Sequence, residues 1–263
     1  MFFRKKLSKS HLKSFEDDGF VILKKIIKTS VINQMITEIE DVTYDQLKKN
    51  NLNNRKRSFK NLIKHAFKNK QSQIRFFLYH RLRSIPTLQS LCFSNDLTKI
   101  LKKFGQEIPA CVQKPTIRFD FSEENKHKLN AHQDIRAILC SKCITVWIPI
   151  TSVNQKNGTI KLYKKSHNHG LLDHVLDRNN QVVIKNLNKL DKFNTETVQA
   201  DPGDMIIMNS FCLHSSVKGQ NNTLKLNIQA FYNDLKEINM HDKFYKLKNI
   251  PDAGKKTMYD EYK

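Results

Sequence analysis

The chain has 263 residues, of which 39% are hydrophobic, and a net charge of +21. This length is enough for one well-buried core and does not require two, so we predict a single domain over residues 1–263. A membrane or secreted protein is not indicated. No apolar stretch approaches about 18 residues, the start MFFRKKLSKS lacks an apolar signal core, and the five cysteines are an odd number for a disulfide framework. We therefore expect a cytoplasmic protein without a membrane span.

The first third of the chain is predicted to be mainly helical. Ser8 or Ser10 can cap a short helix that ends at Gly19, and the following FVILKKII has the β-branched apolar character of a strand. The segment TSVINQMITEIEDV opens a second helix with apolar residues at helical spacing, and another helix covers about residues 94–104. These elements predict a mostly helical cover over residues 1–105.

Short β-rich segments follow this helical part. They are PTIRFDF, ITVWIPI, TIKLY, TVQADPGDMIIM and LKLNIQAFYND, separated by clusters of Asn, Gly, Pro and Lys. This pattern is typical of an antiparallel sandwich or small barrel, and Asn157-Gly158 is a strong signal for a hairpin turn. No linker separates these strands from the helices, so we expect the helices to cover one face of the sandwich. Residues 106–235 would form the core and residues 236–263 a tail.

Three residues carry the strongest chemical signal. His132 and Asp134 lie in HQDI, and His214 lies about eighty residues downstream in FCLHSS. In extended chain, residues i and i+2 point to the same side, so His132 and Asp134 can bind one metal ion while Gln133 points away. A third ligand would then come from another strand. Two histidines and one carboxylate with open positions are the ligand set of non-haem Fe(II), so the sequence predicts an iron site.

The chain resembles the phytanoyl-CoA dioxygenase family of Fe(II)/2-oxoglutarate-dependent oxygenases over nearly its whole length. The motifs that carry the resemblance are FEDDGFVILKKII, HQD, VWIPI followed by NGTIKLYKKSH, and PGDMIIMNSFCLHSS. The resemblance implies a mainly β protein with N-terminal helices and a double-stranded β-helix (jelly-roll) core. It also implies that His132, Asp134 and His214 are catalytic and hold Fe(II), and that 2-oxoglutarate and O2 are co-substrates.

The resemblance further implies that Lys225, Ser216 and Trp147 bind 2-oxoglutarate. In the family an arginine stands at the position of Lys225, eleven residues after His214. Arginine offers a planar two-pronged donor to a carboxylate, whereas lysine offers a compact point charge. Two alternatives follow, a working site with looser co-substrate binding and a non-catalytic jelly-roll protein that binds a metal or ligand without turnover. Trp147 has an alternative role as a core residue.

The reaction implied is hydroxylation of a C–H bond of a small molecule or carried metabolite. Related halogenating enzymes lack the carboxylate, so Asp134 favours hydroxylation or a further oxidation. Arg118 and Gln113 lie on or just before the strand that precedes HQD and are candidate substrate-binding residues. Arg118 could contact an anionic group of the substrate, or it could pair with Asp120 or another acid at the rim.

The remaining features have alternative explanations. Residues 46–95 contain twelve Lys or Arg and no acidic residue, which suits a solvated helical face or a platform for phosphate, sulfate or CoA-like groups. No RNA-binding signature or helix-turn-helix pattern is present, so we do not expect a nucleic-acid partner. Cys140 and Cys143 have CxxC spacing, but they lack the second pair or following helix that a metal or redox site needs. The histidines of KKSHNHG suit a structural turn.

Overall fold

The computed structural model of the protein describes most of the chain. The described residues are 2–4, 7–51, 58–68, 72–121, 129–134, 140–177, 182–186, 188, 190–220 and 223–237. Most of the predicted tail, and the RKR sequence at 55–57 within the basic region, lie outside these residues.

The N-terminal part of the chain is helical, as predicted. The first helix is capped by Ser8, whose hydroxyl accepts a hydrogen bond from the His11 N–H, and it ends at Gly19 in the left-handed conformation (φ +85°). Ser94 caps the last helix in the same way. The described helices are α1 (Lys9–Asp18), α2 (Thr29–Lys49), α3 (Phe59–Lys68), α4 (Ser72–Leu82), α5 (Pro86–Cys92) and α6 (Asn95–Lys103).

The strands are β1 (Phe20–Leu23), β2 (Pro109–Cys111), β3 (Thr116–Phe121), β4 (Ile144–Pro149), β5 (Thr159–Tyr163), β6 (His174–Leu176), β7 (Val182–Ile184), β8 (Thr195–Thr197), β9 (Met205–Asn209), β10 (His214–Val217) and β11 (Leu224–Asp234). A larger sheet has the order β1-β9-β4-β11-β2, with β3 also paired to β11, and a smaller sheet has the order β10-β5-β8. A separate hairpin joins β6 and β7. The paired strands are antiparallel, which confirms the predicted type of sheet.

The larger sheet separates two apolar cores. On β4, Ile144, Val146 and Ile148 belong to the core that the helices share, whereas Trp147 belongs to the core between the two sheets. This alternation follows from the two-residue period of a strand, since each face of the sheet takes every second side chain. The helices therefore cover one face of the larger sheet. Its other face and the smaller sheet enclose the interior of the barrel.

Several elements were not predicted. The strands β2, β6 and β7 have three residues each, too few for a pattern of alternating side chains to stand out. The turn at Asn157-Gly158 is present, but φ is positive at Gly158 and not at Asn157. Within the described part of the chain, no helix combines the length and apolar character needed to cross a membrane. The division into one domain with a helical cover, a core and a tail stays a prediction.

Candidate active site

The predicted ligand trio is assembled in the structure. His132, Asp134 and His214 each offer one donor atom, and these atoms lie within 4.8 Å of one another. Asp134 Oδ1 lies 3.9 Å from His132 Nε2 and 3.7 Å from His214 Nε2. The two histidines are backbone partners, since each donates its N–H to the carbonyl of the other at 3.0 Å. His132 is a bridge residue and not part of a regular strand, yet its side chain and that of Asp134 converge as expected for i and i+2.

Both imidazole rings are oriented by the backbone. His132 Nδ1 lies 2.7 Å from the Asn130 carbonyl oxygen, and His214 Nδ1 lies 3.1 Å from the Cys212 carbonyl oxygen. A carbonyl only accepts, so each Nδ1 donates a proton to it, and each Nε2 is the nitrogen left to bind a metal ion. Burial, and next the neighbouring His214, hold the pKa of His132 well below its usual value. Two imidazoles and one carboxylate are a ligand set that fits a divalent iron ion.

A threonine fixes the carboxylate. Thr145 on β4 donates its hydroxyl to Asp134 Oδ2 at 2.9 Å, and its own oxygen lies 3.0 Å from Ser210 Oγ. This leaves Asp134 Oδ1 as the oxygen that faces the histidines. Thr145 was not predicted as a site residue. The sequence showed only a hydroxyl residue in the otherwise apolar segment ITVWIP, and the structure shows that this hydroxyl is fully buried.

Replacing Thr145 with valine is expected to weaken metal binding about 10- to 100-fold, because hydrogen-bonded partners of metal ligands typically contribute this much. The affinity for Mn²⁺ or Fe²⁺ can be measured by calorimetry without oxygen. Thr159→Val is the matched control, since the Thr159 hydroxyl is buried in the same barrel but donates to the Val198 carbonyl. The control should lower stability and leave metal affinity unchanged. Equal metal affinity in the two variants would contradict the role of Thr145.

Gln133 points away from the trio, as predicted, and connects three segments. Its Nε2 donates to the carbonyl oxygens of Gly170 and Phe211, and its Oε1 accepts from the Leu172 N–H at 2.9 Å. Its backbone N–H donates to His174 Nε2 at 3.3 Å. Gln133 therefore connects the loop that carries His132 and Asp134 to the rest of the barrel by hydrogen bonds.

Acid should destabilise the metal-free protein. Burial lowers the pKa of His132 and of His174, so both groups take up protons more readily in the unfolded chain. Their contribution to stability is complete above the unfolded value of about 6.5 and is lost as the pH falls below it, by up to about 1.4 kcal/mol per pH unit and group. Urea unfolding between pH 8 and pH 5.5 measures this slope. His174→Gln should reduce it, and a slope that this variant leaves unchanged would exclude His174 as a source.

Two of the three predicted co-substrate residues, Ser216 and Lys225, lie close to one loop of the barrel. Ser216 is near the end of β10 and Lys225 is near the start of β11, on either side of the same loop. Ser216 shares the face of His214, two residues away, and its Oγ accepts from the Leu129 N–H at 3.1 Å. Lys225 is 7% exposed, and its neighbours Leu224 and Leu226 belong to the helix-side core. Lys225 therefore faces the interior, where a buried cation suits an anionic ligand.

Asn227 lies two residues further along the same face. It is 1% exposed, and its Nδ2 has no hydrogen-bond partner among the residues that the structure describes. It was not predicted as a site residue. The only signal in the sequence is that Asn227, like Lys225, is a polar residue at an inward-facing position of an otherwise apolar strand.

The remaining predicted site residues, Arg118, Trp147 and Gln113, lie in three different surroundings. Arg118 on β3 faces the interior opposite Asn227, and its charge contributes to the lowered pKa of His132, after larger effects from burial and His214. Trp147 packs in the core between the sheets. Gln113 has an exposed side chain between β2 and β3. The proposed ligand roles of Trp147 and Gln113 stay predictions.

The CxxC pair, the histidines of KKSHNHG and the basic region make contacts within the fold. Cys140 Sγ and the Cys140 N–H contact Asn233 Oδ1, and burial raises the pKa of this thiol to about 12, so it is not a thiolate at neutral pH. Burial also raises the pKa of Cys143. His167 of KKSHNHG lies in a single 3-10 turn, with Nε2 at 3.1 Å from the Glu16 carbonyl oxygen. Arg81 of the basic region pairs with Asp45 at 2.7 Å.

Two imidazoles and a carboxylate inside an antiparallel barrel fit the ligand set of a mononuclear non-haem iron centre. Solved structures share this fold. SnoK, a non-haem α-ketoglutarate-dependent carbocyclase from nogalamycin biosynthesis, has a TM-score of 0.60 and 16% identity, covering 87% of this chain and 85% of its own. EctD from S. alaskensis, solved with 2-oxoglutarate and 5-hydroxyectoine, has a TM-score of 0.60 and 11% identity, covering 88% and 77%. These similarities confirm the predicted jelly-roll fold. No curated protein sequence matches the chain.

The family model described as phytanoyl-CoA dioxygenase (PhyH) matches residues 15–225, and the chain belongs to this family. The matched range contains the whole trio and ends at Lys225. Members are Fe(II)/2-oxoglutarate-dependent oxygenases. The predicted enzyme class and the predicted set of Fe(II), 2-oxoglutarate and O2 are therefore confirmed.

Proposed function

We propose that the protein hydroxylates a C–H bond of a small molecule or carried metabolite, coupled to oxidative decarboxylation of 2-oxoglutarate to succinate. The observation that carries the proposal is the trio, whose three donor atoms lie within 4.8 Å of one another at the inner face of the barrel. Three protein ligands leave coordination positions open for co-substrate and dioxygen. When bound, iron would activate O2, which is the oxidant, while the oxidative decarboxylation of 2-oxoglutarate and the substrate C–H bond would each supply two electrons.

The residues of this chain have three tasks. His132, Asp134 and His214 hold the metal, and Thr145 orients the carboxylate between them. Lys225 neutralises the far carboxylate of 2-oxoglutarate, and Ser216 donates its hydroxyl proton to it while its oxygen accepts from Leu129. The buried walls around the trio exclude water, which strengthens each of these electrostatic contacts.

An anionic group on the substrate is part of the proposal. The proposal is supported by Arg118, which faces the interior of the barrel and contributes its charge to the lowered pKa of His132. SnoN, a structural neighbour with a TM-score of 0.58 and 14% identity over 86% of this chain and 82% of its own, is an epimerase, whereas SnoK is a carbocyclase. Different reactions on one fold indicate that the residues around the metal select the outcome. The cytoplasmic location and the expectation of no nucleic-acid partner stay predictions.

The test is formation of succinate. Purified protein with Fe(II), ascorbate and 2-oxoglutarate should form succinate slowly without substrate, and candidate metabolites that increase the rate identify the substrate class. His214→Ala should remove this activity, because the metal loses one of its two imidazoles. The second candidate function, a non-catalytic binding protein, is favoured by the lysine at position 225. Tight iron binding without any succinate, with or without metabolites, would establish it and refute the proposal.

A further inference from the structure

A cavity lies behind the metal site, on the outer face of the smaller sheet. Its volume is about 390 Å³, which is within the range of ordinary ligand sites. The side chains that line it come from the hairpin of β6 and β7, the turn before β8 and the residue before β10. Most of them are apolar, namely Leu172, Ile184, Leu190, Phe193 and Leu213. We call this space the outer cavity.

The outer cavity is separated from the active site by the strand that carries His214. Side chains alternate there along the chain: Cys212 belongs to the core between the two sheets, Leu213 to a separate cluster on the other side, and His214 to the metal trio. The same alternation holds on β5, where Leu162 points inward and Tyr163 outward. None of the three metal ligands is among the described residues that line the cavity. A molecule bound there therefore packs behind the metal site and does not reach the metal ion.

The walls of the outer cavity are held in place by contacts within the protein. The Lys185 N–H donates to the Asp173 carbonyl at 2.9 Å, which joins the two sides of the hairpin. The ring of Phe193 lies edge-on to the rings of Tyr163 and His169, with centroids 6.5 Å and 5.3 Å apart. Because these walls are already ordered, little of the binding free energy of a ligand is spent on ordering them.

The rim of the outer cavity carries a net positive charge. Lys185 and Lys192 line it together with one acidic residue, Asp173. The Lys192 ammonium group lies 4.9 Å from the centre of the Phe193 ring, so its charge stands at the edge of the apolar wall. Neither ammonium group forms an ion pair within the part of the chain that the structure describes. Apolar walls beneath two cations suit a molecule that has an apolar body and one anionic group.

We propose that the outer cavity is a second ligand site, which binds a small molecule with an apolar body and one anionic group such as a carboxylate. The body packs against Leu190, Phe193 and Leu213, and the anionic group lies at the rim with Lys185 and Lys192. At roughly 30 Å³ for each non-hydrogen atom, the volume of a water molecule in the liquid, the cavity holds about a dozen such atoms. Octanoate fits within this size and serves as the probe.

The experiment measures the binding of octanoate by calorimetry to the protein loaded with Mn²⁺. A dissociation constant of about 10 μM to 1 mM is expected for a ligand of this size. Replacing both rim lysines, Lys185→Gln with Lys192→Gln, should weaken binding about 3- to 10-fold, because contacts with exposed charges each contribute little. Octanol should bind the unmodified protein more weakly than octanoate by a similar factor. The matched control is Lys99→Gln with Lys103→Gln, which removes two exposed lysines of α6 and should leave the affinity unchanged.

A second variant tests the cavity itself. Leu190 is half-buried, and Leu190→Trp places a larger side chain in the cavity, so it should weaken octanoate binding more than about 10-fold. If this variant does not fold, the pair of exposed lysines alone decides. Saturating 2-oxoglutarate should not displace octanoate, because the two sites lie on opposite faces of the sheet.

The proposal is overturned if octanoate at about 5 mM, several times the weakest expected dissociation constant, does not bind the unmodified protein. It is also overturned if the variant at both rim lysines or folded Leu190→Trp binds octanoate as tightly as the unmodified protein, or if octanol binds as tightly as octanoate. Displacement of octanoate by 2-oxoglutarate would place the anion in the active site and overturn it as well.

Discussion

Asp134→Ala is expected to abolish succinate formation and to weaken iron binding more than 100-fold, beyond the range of about 10- to 100-fold that is typical of residues one step away from a metal. Asp134 is the anionic member of the trio, and its Oδ1 is 3.7 Å from His214 Nε2. Removing it leaves two neutral imidazoles, which do not balance the charge of a divalent ion. Metal content after dialysis and succinate formation are the measurements.

Two further variants separate the possible causes of this loss. Asp134→Asn keeps the shape and removes the charge, so it should also lose iron, although the Thr145 hydroxyl can still bond to the amide oxygen. Asp17→Asn is the control, since Asp17 pairs with Lys13 on the exposed surface of α1. It should behave like the unmodified protein. Iron retained at full stoichiometry by the alanine variant would place the metal elsewhere.

Gln133→Leu is expected to lower the free energy of unfolding by about 3–5 kcal/mol, a large effect for one substitution. The reason is that the side chain satisfies three backbone groups, the carbonyls of Gly170 and Phe211 and the N–H of Leu172. Leucine fits the space but leaves these buried groups without partners. Urea unfolding at pH 8, followed by circular dichroism, measures the change.

The chain offers a matched control for this substitution. Gln113 is a glutamine with an exposed side chain, and Gln113→Leu should change stability by less than about 0.5 kcal/mol. Metal affinity gives a second measurement. Gln133→Leu should weaken it because the loop of His132 and Asp134 is no longer fastened to the barrel, whereas Gln113→Leu should not. Similar stability of the two variants would show that Gln133 is not the fastening residue.

The pair of His132 and Asp134 could be predicted from the sequence because its chemistry is local, whereas His214 lies about eighty residues downstream and joins the pair only through the fold. His132 and Asp134 are two residues apart, and extended backbone turns them to one side whatever the rest of the chain does. The partners of these groups could not be predicted in the same way. Thr145 reaches Asp134 from a different strand, and the unfilled amide of Asn227 is defined by what surrounds it in three dimensions.

The elements of the fold divide in the same way into those with a local sequence pattern and those that depend on distant residues. Capped helices such as α1 and alternating strands such as β4 have patterns that the sequence carries by itself. The hairpin of β6 and β7 depends on contacts with distant residues instead. The Ile184 N–H donates to the Ala131 carbonyl at 3.0 Å, next to His132, and no pattern within residues 174–184 indicates that partner.

The paired hydrogen bonds between the backbones of His132 and His214 bear on how the protein exchanges its metal. With the two imidazoles tied to one another and each Nδ1 held by a carbonyl, few torsion angles remain to be frozen when an ion arrives. Loss of iron is then a local ligand exchange that leaves the scaffold folded. Protein that has lost its iron should therefore take up Fe(II) again without refolding.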